Sequence, residues 1–417
     1  MEPFINKFIE KMTSKSFYVG EQSSYDAERY SNRQETGSVQ MLDPLNRLNG
    51  QAASHSDYSL IEQDLNRMSL NIIDSITNGI QGSGEYAGGP TQLTHPLLKS
   101  IGTYYFEMKG KRIRPTVLLL LARAITSNDC PSEPISESQL KLAQVVEMLH
   151  TASLVHDDVI DGADTRREMA SVNCAYSNKL AILCGNFLTA RTIVLLSTLR
   201  NHHVTELVSN IISDLVDGEL MQIKSNSTSF ESYIRKTYLK TASLFANGCR
   251  SIAVLSGADA NMTNMATEFG KNLGLAFQII DDLLDVTGSS ESLGKPASVD
   301  MSLGLATAPV LFALEEYPDL EVLINRKFSE SGDVDIANQL VLKSNAIEKT
   351  KSLAIEYCNK SIEFLMKLPQ SQSRDLLITL TQSKVIRFDL IGLKSTISMS
   401  LFVKCSVLII DGIGCRI

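Results

Sequence analysis

The sequence has no C-x-x-C pair, although it carries seven cysteines. Cys130, Cys174, Cys184, Cys249, Cys358, Cys405 and Cys415 are scattered and odd in number. That excludes a disulfide framework or a zinc ribbon and points to a reducing compartment. Each reads as a small buried hydrophobe. No apolar run is long enough to cross a bilayer, and the strongest, TVLLLLARAI at Thr116–Ile125, suits a buried helix. Positive charge is in deficit. The formal net charge of -8 excludes a broad nucleic-acid footprint, so an anionic ligand has to be met by a local basic cluster working against the overall field. Strand alternation and short-period repeats are absent as well. The N-terminus, MEPFINKFIEKMTSK, is amphipathic but carries Glu2 and Glu10, whereas mitochondrial targeting segments are poor in acids and rich in Arg. No targeting peptide is read there.

What is present is helix after helix. The 417 residues, 43% of them hydrophobic and 21% charged, are enough for a sizeable core. In Ser59–Ile76, Leu60, Ile61, Leu65, Met68, Leu70 and Ile73 are spaced roughly as one helical face. Ser136 followed by Gln139 has capping-box spacing and predicts a helix start. The stretches VTELVSNIISDLVDGELMQIK, NMATEFGKNLGLAFQIIDDLLDV and AIEKTKSLAIEYCNKSIEFLMKL continue the pattern. The predicted architecture is all-α: a flexible N-terminal arm over 1–57, one large helical domain over 58–390, and an apolar tail over 391–417. The tail lacks a helical period. It reads as a membrane-touching segment or as a product of faulty gene prediction, the second being favoured.

Two acidic clusters stand out. Asp157 and Asp161 are four apart, one helical turn on one face, with Asp158 between them. The stretch FQIIDDLLDV repeats the spacing with Asp281, Asp282 and Asp285. One D-D-x-x-D cluster alone is as easily a solvated helix face, but two, each following an apolar helical run, argue for a shared task. Carboxylates at this spacing suit Mg²⁺, a hard ion that keeps several waters and uses one or two carboxylates plus substrate phosphate oxygens. The basic residues fit a phosphorylated ligand: Lys111, Arg112 and Arg114 in GKRIRP, Arg166 and Arg167 after the first cluster, Lys240 with Thr241 in YLKTASL, and Lys295 in LGKP. Each alone is an ordinary surface charge. Together they offer direct grips on phosphate beside the metal bridges. His150 lies two turns before Asp157, and Gln278 one turn before Asp281. No nucleophilic triad competes with this constellation.

From about Leu60 to Arg387 these motifs, in this order, resemble the trans-isoprenyl diphosphate synthases. The wording EMLHTASLVHDDVIDGADTRR and LGLATAPVLFALEE is most similar to long-chain polyprenyl synthases of the fungal mitochondrial type that supply the ubiquinone side chain. The resemblance implies a helical bundle around a deep apolar cavity and a Mg²⁺-dependent transferase. That enzyme condenses an allylic diphosphate, farnesyl or geranylgeranyl, with successive isopentenyl diphosphates. It implies catalytic roles for Asp157, Asp158, Asp161, Asp281, Asp282, Asp285 and Lys240, with Asp157, Asp161 and Asp281 as metal ligands. Arg166, Lys240, Thr241, Gln278 and Lys295 would contact the allylic substrate; Lys111, Arg114, His150 and Arg167 would bind isopentenyl diphosphate. Released diphosphate would take the proton. A homodimer or hetero-oligomer, a neighbouring membrane surface and a mitochondrial location are further implications.

Geometry adds a reading of product length. Ala152 and Ser153 are small and lie about one turn before Asp157, where a bulky side chain would floor the channel, so a long product is expected. Some positions depart from the family habit: Glu168 and Ser298 stand where Gly is usual, Ala170 where Pro is common, and Asn186 for a usual Asp. Two other readings were weighed. A non-catalytic partner subunit tends to lose its aspartate motifs, and a class I terpene cyclase lacks the isopentenyl grip and the second D-D-x-x-D.

Overall fold

The computed structural model describes residues 59–80, 95–108, 110–126, 130, 135–167, 169–224, 227–288 and 298–392. The expected arm over 1–57, most of the expected tail, Glu168 and Lys295 lie outside them. The described chain is a helical bundle, its one sheet being a two-residue-per-strand hairpin, Thr165–Arg166 against Met169–Ala170. In order come α1 (Ser59–Thr77), α2 (Pro96–Glu107), α3 (Ile113–Thr126), α4 (Glu137–Ile160), α5 (Asn178–Ser197), α6 (His202–Lys224), α7 (Phe230–Thr237) and α8 (Ser243–Leu255). Then follow α9 (Ala260–Thr287), α10 (Ala308–Glu316), α11 (Asp333–Lys343), α12 (Ala346–Leu365) and α13 (Gln372–Gly392).

Two long helices are the axis of the bundle. α4 starts at the capping box that the sequence announces: the Ser136 hydroxyl accepts from the Gln139 N–H, and the Gln139 side chain accepts from the Ser136 N–H. It packs on α1, α3, α5 and α8, and Leu140, Val145, Met148, Ala152 and Val155 are all buried. α9 packs on α8 and α12. Gly274 lets it approach closely, because a Cβ there would lie 2.5 Å from the Ala242 Cα. Removing this apolar surface from water stabilises the fold by about 1.5–3 kcal/mol for each large side chain.

Three expectations need correction. In α1 the buried face is Ile61, Asp64, Met68, Ile72 and Ile76, a 3.6-residue period, and Leu70 on the far side is 71% exposed. Asp64 belongs to that face because the Arg123 guanidinium of α3 donates to it at 2.8 Å, both groups being buried. Second, α5 is a helix long and apolar enough, by length and composition, to cross a membrane. Its threonines disguise it: Thr189 and Thr192 turn their hydroxyls onto the carbonyls of Gly185 and Leu188. Third, Cys184, Cys249 and Cys358 are buried, but Cys130 and Cys174 are exposed.

Candidate active site

Both acidic clusters sit at the C-terminal ends of the axial helices, where the helix dipole is already negative. Asp161 is the C-cap of α4, its N–H bonded to the Asp157 carbonyl one turn earlier. Asp157 is half-buried and Asp161 exposed. Burial pushes the Asp157 carboxyl up to about 6; nearby Lys240 opposes that, while Glu219 and Asp161 add to it. Asp161 is raised for the same first reason. Asp158 differs. It is fully buried, and both its oxygens are engaged, one by the Tyr105 hydroxyl of α2 and one by two nitrogens of Arg166. Burial pulls the Arg166 guanidinium down, and the Asp158 bonds outweigh it, so the net shift is upward.

The second cluster repeats the device. Asp281 is exposed in the C-terminal part of α9, whereas Asp282 is buried and accepts from the Tyr233 hydroxyl at 2.7 Å and the Gln278 amide at 2.8 Å. Gln278 in turn accepts from the Thr241 hydroxyl at 2.9 Å. Burial raises the Asp282 carboxyl. Asp285 is buried and accepts from the Asp300 N–H at 3.1 Å, and its carbonyl accepts from the Ser298 N–H at 2.8 Å. Ser298 holds a left-handed φ of 57°, which explains why a glycine would be at home there. Each middle aspartate is thus clamped by a tyrosine from another helix.

Lys240 and Thr241 lie on a π-helical segment, Tyr238–Ala242, between α7 and α8. The wide turn, closed by the Ser243 N–H on the Tyr238 carbonyl, lets adjacent residues reach different helices. Thr241 reaches Gln278 on α9, and Lys240 pairs with Glu219 on α6 at 2.5 Å. Lys236, one turn earlier, is held below its usual pKa by burial, against the pull of Asp282.

The remaining cations form a second group. Arg114 donates to His150 Nε2 at 2.9 Å, and its guanidinium lies 5.2 Å and 5.9 Å from the Phe245 and Phe277 ring centres. Burial lowers Arg114 to about 10 and drives His150 well below its usual value, so the imidazole is neutral. Because guanidinium only donates, the His150 Nε2 lone pair is taken and the ring proton sits on Nδ1. Arg167, with a φ of 53°, donates to the Tyr105 carbonyl at 3.2 Å and crowds Gly110 of the GKRIRP loop. Glu147, buried on α4, is raised by that burial and lowered in turn by Arg114, Arg167 and Arg112. Lys111 is exposed. Ala152 is buried, and Ser153 turns its hydroxyl back to the His150 carbonyl at 2.8 Å.

Sequence reasoning missed Tyr105, Tyr233, Glu147, Glu219 and Lys236. Gln278, which its spacing puts on the face of the second cluster, donates there to Asp282. Among the described residues no three acidic, His or Cys side chains converge as a self-sufficient metal cage. A half-buried Asp157, an exposed Asp161 and an exposed Asp281, all hard oxygen donors, suit an ion that completes its shell with water and phosphate. The donor set therefore fits Mg²⁺.

Comparison with known proteins shows the family. Residues 95–341 match the family model described as polyprenyl synthetase. The chain is 59% identical over 350 residues to a decaprenyl-diphosphate synthase of Dictyostelium discoideum, covering 84% of this chain and 75% of that one. It is 40% identical over 396 residues to a probable mitochondrial hexaprenyl pyrophosphate synthase of Yarrowia lipolytica, covering 79% and 84%. A polyprenyl synthase from Caulobacter crescentus, solved with calcium and isoprenyl diphosphate, superposes with a TM-score of 0.68 at 29% identity, covering 81% of this chain and 98% of that one.

Proposed function

This chain belongs to the polyprenyl synthetase family and is a prenyl transferase, and from that premise we propose that it extends an allylic diphosphate by successive isopentenyl units to a long all-trans polyprenyl diphosphate. The observation that carries the reading is the pairing of two open acidic helix ends with separate basic groups. Lys240 lies in the field of Asp157 and Asp161, and Arg114 in that of Asp281. Two diphosphates require two such grips.

The roles divide as follows. Asp157 and Asp161, with Asp281, would hold Mg²⁺. When bound, the ion neutralises charge that develops on a departing diphosphate. Lys240 donates to the allylic diphosphate, and Arg166 offers it Nη1, its other two nitrogens being fixed on Asp158. Gln278 and Thr241 orient each other beside Lys240. Lys111, Arg114 and Arg167 bind isopentenyl diphosphate. His150 orients Arg114 and is not a base, because its Nε2 is occupied. Asp158 and Asp282 position their neighbours from below. In this reading, which follows the resemblance to the trans-isoprenyl diphosphate synthases, the released diphosphate takes the proton lost after bond formation. Apolar walls such as Phe245, Phe277 and Ala152 exclude water from the cation.

The named relatives support a long product, and the Yarrowia lipolytica one a mitochondrial setting; a role in ubiquinone side-chain synthesis follows from the sequence resemblance alone. Apolar side chains exposed on α5 (Ile182, Leu183, Ile193, Val194) and α6 (Val216, Leu220, Ile223) support association with a second copy. The test is a product assay with Mg²⁺, labelled isopentenyl diphosphate and farnesyl diphosphate. Long all-trans prenols after dephosphorylation, lost on chelation, are expected. Ala152→Phe or Ser153→Phe should shorten them, and unchanged lengths would sink the floor argument. Only short products from the unmodified chain would refute the long-chain reading.

A further inference from the structure

Glu219 belongs to neither acidic motif, yet it grips Lys240. Its Oε2 lies 2.5 Å from Nζ, and the two side chains are only 14% and 21% exposed. A pair this sheltered is not the screened surface contact that contributes almost nothing. The backbone accommodates it. Gly218, next to Glu219, is pressed against the lysine stem, and a Cβ there would lie 2.7 Å from Lys240 Cγ. The π-helical turn releases Lys240 towards α6 while Thr241 stays on α9. Glu219 and Lys240 both act on Asp157 and Asp161, with opposite signs. At the mouth of the first cluster three carboxylates thus face Lys240, with Lys236 also in the field of Glu219 and two nitrogens of Arg166 engaged by Asp158.

An ammonium held by Glu219 cannot give its full charge to an arriving diphosphate. We propose that Glu219 is a positioning residue that parks the Lys240 ammonium beside the first aspartate cluster between turnovers and releases it when the allylic diphosphate binds. The inference rests on the functional reading above. Two consequences follow from charge alone. Without a divalent cation, diphosphate must break the Glu219–Lys240 pair, so its affinity is held down. With the cation, the freed Glu219 carboxylate joins Asp157 and Asp161 in attracting it, which offsets the broken pair. Glu219 thereby makes capture of the diphosphate depend on the metal arriving with it.

The experiment is calorimetric titration of the full chain with inorganic diphosphate, in EDTA and in saturating Mg²⁺, alongside thermal melting. In EDTA, Glu219→Gln should bind diphosphate about fivefold more tightly than the unmodified protein, the expectation for losing one sheltered competing pair. In Mg²⁺ the gain should vanish or reverse. Glu219→Asp, which keeps the charge, should behave as the unmodified protein. In Lys240→Ala protein the gain from Glu219→Gln should be clearly smaller, because only direct repulsion between the carboxylate and diphosphate is left to relieve. Equal or weaker binding by Glu219→Gln in EDTA overturns the proposal, as does a gain that is undiminished without Lys240. A merely structural Glu219 would lower the melting temperature and weaken binding in both buffers. Failure of the functional reading shows separately, as unmodified protein that makes no polyprenol.

Discussion

Replacing Asp157 with Asn should stabilise the metal-free protein while abolishing its activity. The reason lies in the gap between the carboxyl's ordinary value of 3.8 and about 6 in the fold. The unfolded chain ionises Asp157 near 3.8, whereas the folded chain keeps the proton up to about 6. Between those values the unfolded state binds fewer protons, so stability falls as pH rises through the window and is level above it. The full gap corresponds to about 3 kcal/mol. Because Asp157 is only half-buried, about 1–2 kcal/mol is the realistic gain from removing the charge at pH 7.5. The assay is urea denaturation in EDTA at several pH values for both proteins. Asp157→Asn should be more stable at pH 7.5, and the difference should close as pH falls from 6 to below 4. A variant less stable than the original at pH 7.5, or a difference independent of pH, would refute the reasoning.

Tyr233→Phe should cost about 1–3 kcal/mol, because it leaves a buried Asp282 oxygen without its donor; equilibrium unfolding at pH 7.5 in EDTA measures it, and no loss would mean that the clamp is not holding. Ser298→Gly should stabilise by about 1 kcal/mol by relieving the left-handed backbone, read as a raised melting temperature. Arg123→Met should destabilise by about 3–5 kcal/mol by stranding buried Asp64, and Asp64→Leu in the same chain should recover most of it in unfolding curves.

Much of the architecture was legible because it is written in local periods. The start of α4 follows from Ser136 and Gln139, and both acidic clusters follow from a four-residue spacing. What escaped is what depends on residues far apart. Tyr105 stands 53 positions from Asp158, and Tyr233 stands 49 from Asp282, so no local pattern marks either clamp. Nothing local marks Asp64 as buried either, because its partner, Arg123, lies 59 positions away. Leu70 was misassigned for the opposite reason: apolar character alone does not say which way a helix faces, and the period through Ile61, Met68 and Ile72 does. Gln278 shows the same limit: i+3 and i+4 neighbours share a face, and only the side-chain geometry chooses Asp282 over Asp281.

The tyrosine clamps also bear on how the protein survives from one turnover to the next. Each acidic motif keeps its middle carboxylate tied down by protein atoms alone. The scaffold therefore does not need a metal to stay assembled, unlike a small domain folded around its zinc. Under the proposed function, an ion that left with a spent diphosphate would leave behind a frame already shaped for the next, and the cation would be a consumable drawn from solution.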